Sequence, residues 1–148
     1  MGEILALSKI LNIREREKND AQKIYRQSIE YFEGVATQLY NLLKRKEEAE
    51  GIQEKYLQNT IPIDKIREQL IYIENLSKQI TQLQKEVQSA RSEMESKQEK
   101  LSEAHVEVKK FEKIITFRQN EQEEIIKKNE KLMMDEISVQ QYLNQKNR

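Results

Sequence analysis

At 148 residues, with 35% charged and 36% hydrophobic side chains and no tryptophan, the chain has too little apolar material for a thick globular core and must bury a narrow stripe instead. Its 26 basic and 26 acidic residues cancel, ten of each sign before Pro62 and sixteen of each from there on, so no net field draws in nucleic acid or anionic lipid. The absence of cysteine excludes a disulfide framework and a thiolate metal site.

The first stretch, MGEILALSKILNIRERE, is mildly apolar, but Glu3, Ser8 and Lys9 interrupt it and no small-residue cleavage site follows. Ala6 stands where a myristoylation signal at Gly2 wants Ser or Thr. Apolar runs stay far short of the ~20 residues that cross a bilayer, and the expected location is the cytoplasm.

The first predicted element is a helix over about residues 3–58, with the apolar series Ala21, Ile24, Ser28, Tyr31, Val35, Leu39, Leu42 and, more loosely, Ala49, Ile52 and Tyr56. The step from Val35 to Leu39 is four where this alternation wants three. Gly34 lies beside it, and glycine costs about 1 kcal/mol in a helix interior, so the pattern predicts either a soft bend there or an ordinary surface glycine.

Pro62, the only proline, ends this pattern. Proline breaks a helix interior but suits a first turn. Asn59 and Thr60 are turn and cap residues, and Ile61 is driven toward extended backbone by the proline after it. A turn at 59–62 follows.

The second predicted helix covers about residues 63–142. Ile73, Leu76, Ile80, Leu83, Val87, Ala90, Met94, Leu101, Ala104, Val108, Phe111 and Ile115 fall alternately three and four apart, with Lys97 the one interruption. That period of about 3.5 is the condition for a left-handed coiled coil. Lys97 is expected to lay its methylenes along the seam and keep its ammonium in water.

Folding back at the turn pairs position i with roughly 121 minus i, because both helices rise ~1.5 Å per residue. Leu42 then faces Ile80, Val35 the Val87 layer, Tyr31 faces Ala90, and Leu7 reaches Ile114 or Ile115. The first helix runs out there, and Arg118, Gln122 and Asn129 occupy the next seam positions of the second. The seam loses its apolar character where the geometry says its partner has ended. The expected fold is therefore all-α, a single long two-helix antiparallel coiled-coil hairpin over 1–148 with the second helix overhanging the first.

The overhang still carries Ile125, Ile126, Leu132, Met133, Met134, Ile137, Val139 and Leu143. Exposed apolar stripes mark interaction surfaces and methionines make them adaptable. A heterologous partner, a homodimer contact and a frayed tail are the open readings. A two-helix seam buries few side chains, each worth ~1.5–3 kcal/mol, so a partner that binds only the folded form adds stability by mass action.

Little in the chain points to chemistry. A two-helix fold offers no concave, dry pocket for opposed catalytic groups. His105 is the only histidine, the three glycines never cluster into a phosphate loop, and Glu121, Glu123 and Glu124 point in different directions as near neighbours on a helix. No catalytic residue, cofactor or metal site is expected. Lys44, Arg45 and Lys46 are answered by Glu47 and Glu48, whereas Lys127, Lys128 and Lys131 form a small basic patch on the overhang.

The layout resembles the flagellar FliJ family over essentially the whole chain. Gln38 and Leu39 with Leu42 resemble its Gln-Leu-x-x-Leu segment, and Tyr72 and Ile73 with Leu76 and Ile80 its aromatic-Ile-x-x-Leu-x-x-x-Ile stretch. The run from Glu107 to Lys113 and the stretch Met134, Asp135, Glu136, Ile137 are similar to Gram-positive members. The resemblance implies a non-enzymatic stalk and chaperone-type component of the flagellar type III protein export apparatus, similar in shape to the rotor stalk of the rotary ATP synthase. It implies three partners: the hexameric export ATPase, the cytoplasmic linker of the export gate membrane protein, and empty export chaperones. The ATPase would be met by Ile4, Leu7 and Leu11 with Ile125, Leu132, Met133 and Ile137, and the gate by Gln38, Leu42, Tyr72 and Leu76. Arg45, Ala49, Gln79 and Leu83 depart from the family pattern on the gate surface. Membrane association would be peripheral and through partners. The stalk of a virulence-type secretion system and a generic dimeric coiled-coil scaffold are the alternatives.

Overall fold

The computed structural model describes residues 2–147 as two α-helices, α1 (Gly2–Gln58, 57 residues) and α2 (Ile63–Lys146, 84 residues), packed against each other as an antiparallel hairpin. Strands are absent among the described residues. At the turn, the Asn59 side-chain amide donates to the Lys55 carbonyl at 2.9 Å, satisfying a free acceptor at the α1 C-terminus. The Pro62 carbonyl accepts from the Lys65 and Ile66 amides at 3.1 and 3.4 Å, so Pro62 opens α2 at a position where its missing N–H costs nothing. Lys55 in the last turn of α1 and Asp64 in the first turn of α2 complement the helix dipoles.

The chain divides into two compact units: a turn unit, Asn19–Ser102, and a terminal unit made of the chain up to Lys18 and from Glu103 onward. In the turn unit, Val35, Ala49, Leu76, Ile80, Leu83 and Ala90 are buried. The other predicted α2 seam residues there, Ile73, Val87, Met94 and Leu101, are half-buried. Lys97 is half-buried among them with its ammonium 3.3 Å from Glu93, as the snorkelling geometry requires.

The α1 seam corrects the sequence reading at three places. Ile24, Tyr31 and Ile52 are exposed, Tyr31 by 59%, while their neighbours Tyr25, Phe32 and Gln53 turn inward. The inward residues Ala21, Tyr25, Ser28, Phe32, Val35, Leu39, Leu42, Lys46, Ala49, Gln53 and Tyr56 alternate four and three without a break. The step from Val35 to Leu39 is regular once Phe32 replaces Tyr31. Gly34 marks no bend: it is exposed on a continuous helix with open space beside it, as is Gly51. The Arg91 guanidinium stands 5.8 Å over the Phe32 ring, and the Gln69 amide donates across the pair to the Ala49 carbonyl at 3.1 Å, which ties the register near the turn.

In the terminal unit, Ile4, Leu7, Leu11, Arg14 and Lys18 of α1 turn inward, as do Ala104, Val108, Phe111, Ile115 and Arg118 of α2. Val108 is the most enclosed, at 2% exposure. Arg14 stacks its guanidinium 5.9 Å over the Phe111 ring and holds Glu17 at 3.0 Å. Glu3 and Arg118 form an ion pair at 3.3 Å, at the register expected from the turn. Past Gln122, every described residue to Asn147 is exposed.

Candidate functional site

Two surfaces stand out, one in each unit. In the turn unit, Gln38, Leu42 and Arg45 of α1 and Gln79, Leu83 and Glu86 of α2 line an open groove along one flank of the pair. The heptad explains it. Gln38 and Arg45, and Gln79 and Glu86, each sit one residue before an inward position, and in an antiparallel pair those rows face each other across one flank. Tyr72 lies seven residues before Gln79, which puts it in the same α2 row, and it is exposed. Leu76 differs: at 3% exposure it is a seam residue whose side chain holds the helices together. Of the four residues implied for gate contact, Gln38 and Leu42 line the groove, Tyr72 shares its flank and Leu76 lies beneath the surface.

In the terminal unit, Ile125, Leu132, Met133 and Ile137 are exposed, Leu132 by 61%, on the single-stranded part of α2. Ile4, Leu7 and Leu11 are half-buried in the seam on the other helix. The seven residues implied for ATPase contact therefore fall into a packed α1 set and a bare α2 set. Ile125 is flanked by Lys127, Lys128 and Lys131 in a shallow depression that also takes in Glu121 and Glu124, so this apolar stripe has a basic border.

Sequence reasoning missed two members of this surface. Tyr142 is exposed, with the Lys146 ammonium 5.9 Å from its ring centre; its position among the other late apolar residues was the available signal. Arg118 is more than a lost seam residue, because it joins Glu3 across the pair and also bonds Glu121 at 3.1 Å. An acidic residue at position 3 under the 121-minus-i rule was the clue.

His105 is exposed, and among the described residues no three acidic, histidine or cysteine side chains gather as metal ligands. No described helix is long and apolar enough to cross a membrane.

The family model described as "Flagellar FliJ protein" matches residues 3–147. The chain is similar to the flagellar FliJ protein of Bacillus subtilis (strain 168), with 37% identity over 137 residues, covering 91% of this chain and 92% of that relative. No solved structure matches it.

Proposed function

The chain belongs to the FliJ family of flagellar proteins, and from that premise we propose that it is a non-enzymatic stalk component of the flagellar type III protein export apparatus. In this reading the terminal unit enters the central hole of the export ATPase hexamer, promotes ring formation and hydrolysis, and the flank of the turn unit docks on the cytoplasmic linker of the export gate. The protein works in the cytoplasm and reaches the membrane only through those partners. Empty export chaperones are further partners in the same reading.

The observation that carries it is the bare end of α2. Nine large apolar residues between Ile125 and Leu143 lie exposed there. A helix face of that kind is stable in water only at a cost, and it gains by being covered. The groove containing Gln38, Leu42 and Arg45 supplies the second contact, with the exposed Tyr72 on the same flank. A flagellar family model over nearly the full chain favours this assignment over a virulence-type stalk.

The test uses the purified full chain with purified export ATPase. Hydrolysis and ring formation are expected to rise on addition, and a chain ending at Thr116 is expected to keep most of its helical circular dichroism while losing the stimulation. Unchanged stimulation by the short chain would remove the overhang from the contact. Replacing Gln38 and Tyr72, both exposed, by alanine is expected to weaken binding to the purified gate linker and leave ATPase stimulation intact.

A further inference from the structure

The groove flank leaves the opposite flank of the turn unit unused. The row there consists of Leu43, Glu50 and Leu57 on α1 and Ile63 and Leu70 on α2, all exposed, with the half-buried Ser77 next along α2. Four of these six are large and apolar, with Leu57 67% and Ile63 73% exposed. Tyr40, Glu47 and Glu54 form the next row outward on α1, and Arg67 and Glu74 on α2. The hydrogen bond from Gln69 to Ala49 ties the register, which sets Leu57 about level with Ile63 beside the turn and Leu70 about level with Glu50.

The charges on the two flanks differ. Over the same stretch the groove flank is balanced, Arg45, Lys55 and Lys65 against Glu48, Glu68 and Glu86. The opposite flank sets Glu47, Glu50, Glu54 and Glu74 against Arg67, with Lys46 reaching Glu50 at 3.8 Å. An apolar row bordered by more carboxylates than cations is complementary to one kind of surface, apolar at its centre and basic at its edges.

From this we infer that the Leu43–Leu57–Ile63–Leu70 flank is a second docking surface, built to receive a basic amphipathic helix as a third strand of the bundle. Ile63 and Leu70, seven apart, rise ~10.5 Å along α2, and Leu43 and Leu57 stand two such intervals apart on α1 with Glu50 between them; that interval is the one at which an amphipathic helix repeats its own apolar face. The α1 and α2 backbones are already satisfied within their helices, so an added segment must bring internal hydrogen bonds, as a helix does. A second copy of this chain is a poor occupant, because a two-fold contact would set the same four glutamates against themselves. This inference is independent of the ATPase and gate contacts proposed above.

The test is an NMR titration of the isotope-labelled full chain with two synthetic amphipathic peptides that share one leucine stripe, one bordered by lysine and the other by glutamate. The lysine peptide is expected to shift the amides of Leu57, Ile63 and Leu70 and to bind at least about tenfold more tightly than the glutamate peptide. Leu57→Gln with Leu70→Gln, at exposed positions, is expected to reduce that binding by about tenfold or more with unchanged helical circular dichroism. Glu47→Lys with Glu54→Lys is expected to reverse the preference between the peptides. Equal binding of both peptides, or shifts confined to the Gln38 groove or the overhang, would overturn the inference. So would a dimer of the free chain by light scattering that Leu57→Gln and Leu70→Gln dissolve, since the occupant would then be a second copy.

Discussion

Within the terminal unit, the paired and bare stretches of α2 use similar apolar residues and end up in opposite environments. From Ala104 to Ile115 both inward positions of each heptad are apolar, and they meet α1. From Gln122 onward one of those positions holds Gln122, Asn129 and Glu136, while the other holds Ile125, Leu132 and Val139, with Ile126 and Met133 beside them. The apolar residues thus shift sideways and thin to one cluster per heptad. Placement, more than hydrophobic content, separates a stretch that closes on its own chain from one that stays open for another.

Charging each stretch at one point gives the largest contrast. Val108→Asp buries an unpaired carboxylate at a position 2% exposed and is expected to cost about 3–5 kcal/mol, enough to unfold a hairpin with so narrow a core. Leu132→Asp, on the bare stretch, is expected to change stability by no more than about 0.5 kcal/mol. Urea denaturation followed by helical circular dichroism measures both. Equal losses would mean that the overhang is packed in solution and would break the comparison.

Filling the polar seam positions sharpens it. Lys97→Leu puts an apolar side chain at a half-buried seam site and is expected to raise stability by about 1–2 kcal/mol. Asn129→Leu makes the corresponding change where no partner helix exists. It is expected to leave monomer stability unchanged and to produce concentration-dependent dimers in light scattering, because both heptad positions are then apolar. A monomer for Asn129→Leu at high concentration would show that the polar positions do not keep the overhang from pairing with itself.

Most of the hairpin is legible in its amino-acid sequence. The α2 seam reads residue by residue, Lys97 included, because its inward positions rarely have an apolar neighbour that competes for the same place. In α1 the pairs Ile24–Tyr25 and Tyr31–Phe32 each offer two apolar residues side by side, and either choice alternates three and four back to Ala21. Only the irregular step at Leu39 distinguishes them, and beside Gly34 it resembles a flaw in the helix. The ends of the overlap follow from the turn arithmetic alone. The burial of Leu76 beneath the docking flank follows from its place in the predicted seam, whereas the resemblance that also names it for gate contact does not say which way it faces.

Gly34 and Gly51 test whether the paired part of α1 is as regular as it looks. Both are helical and exposed, with open space where a Cβ would go. Gly34→Ala and Gly51→Ala are each expected to add about 0.5–1 kcal/mol, through helix propensity and a less flexible unfolded chain. A loss at Gly34 would revive the bend that the uninterrupted heptad argues against.

Arg118 marks the border itself, and its replacement is expected to have the most local effect. Its guanidinium is partly exposed and lies between two carboxylates, Glu3 at 3.3 Å across the pair and Glu121 at 3.1 Å on its own helix. Each such exposed contact is worth about 0.2–1 kcal/mol and is weakened by salt. Arg118→Glu would set three like charges together where α1 begins. The expected result is faster amide hydrogen exchange through Ile4–Leu11 at low salt, a difference that shrinks at high salt, with no change near the turn. Exchange that speeds up equally around Leu83 would mean that the end of the pair does not fray on its own, and the border between closed and open stretches would then lie somewhere other than at this residue.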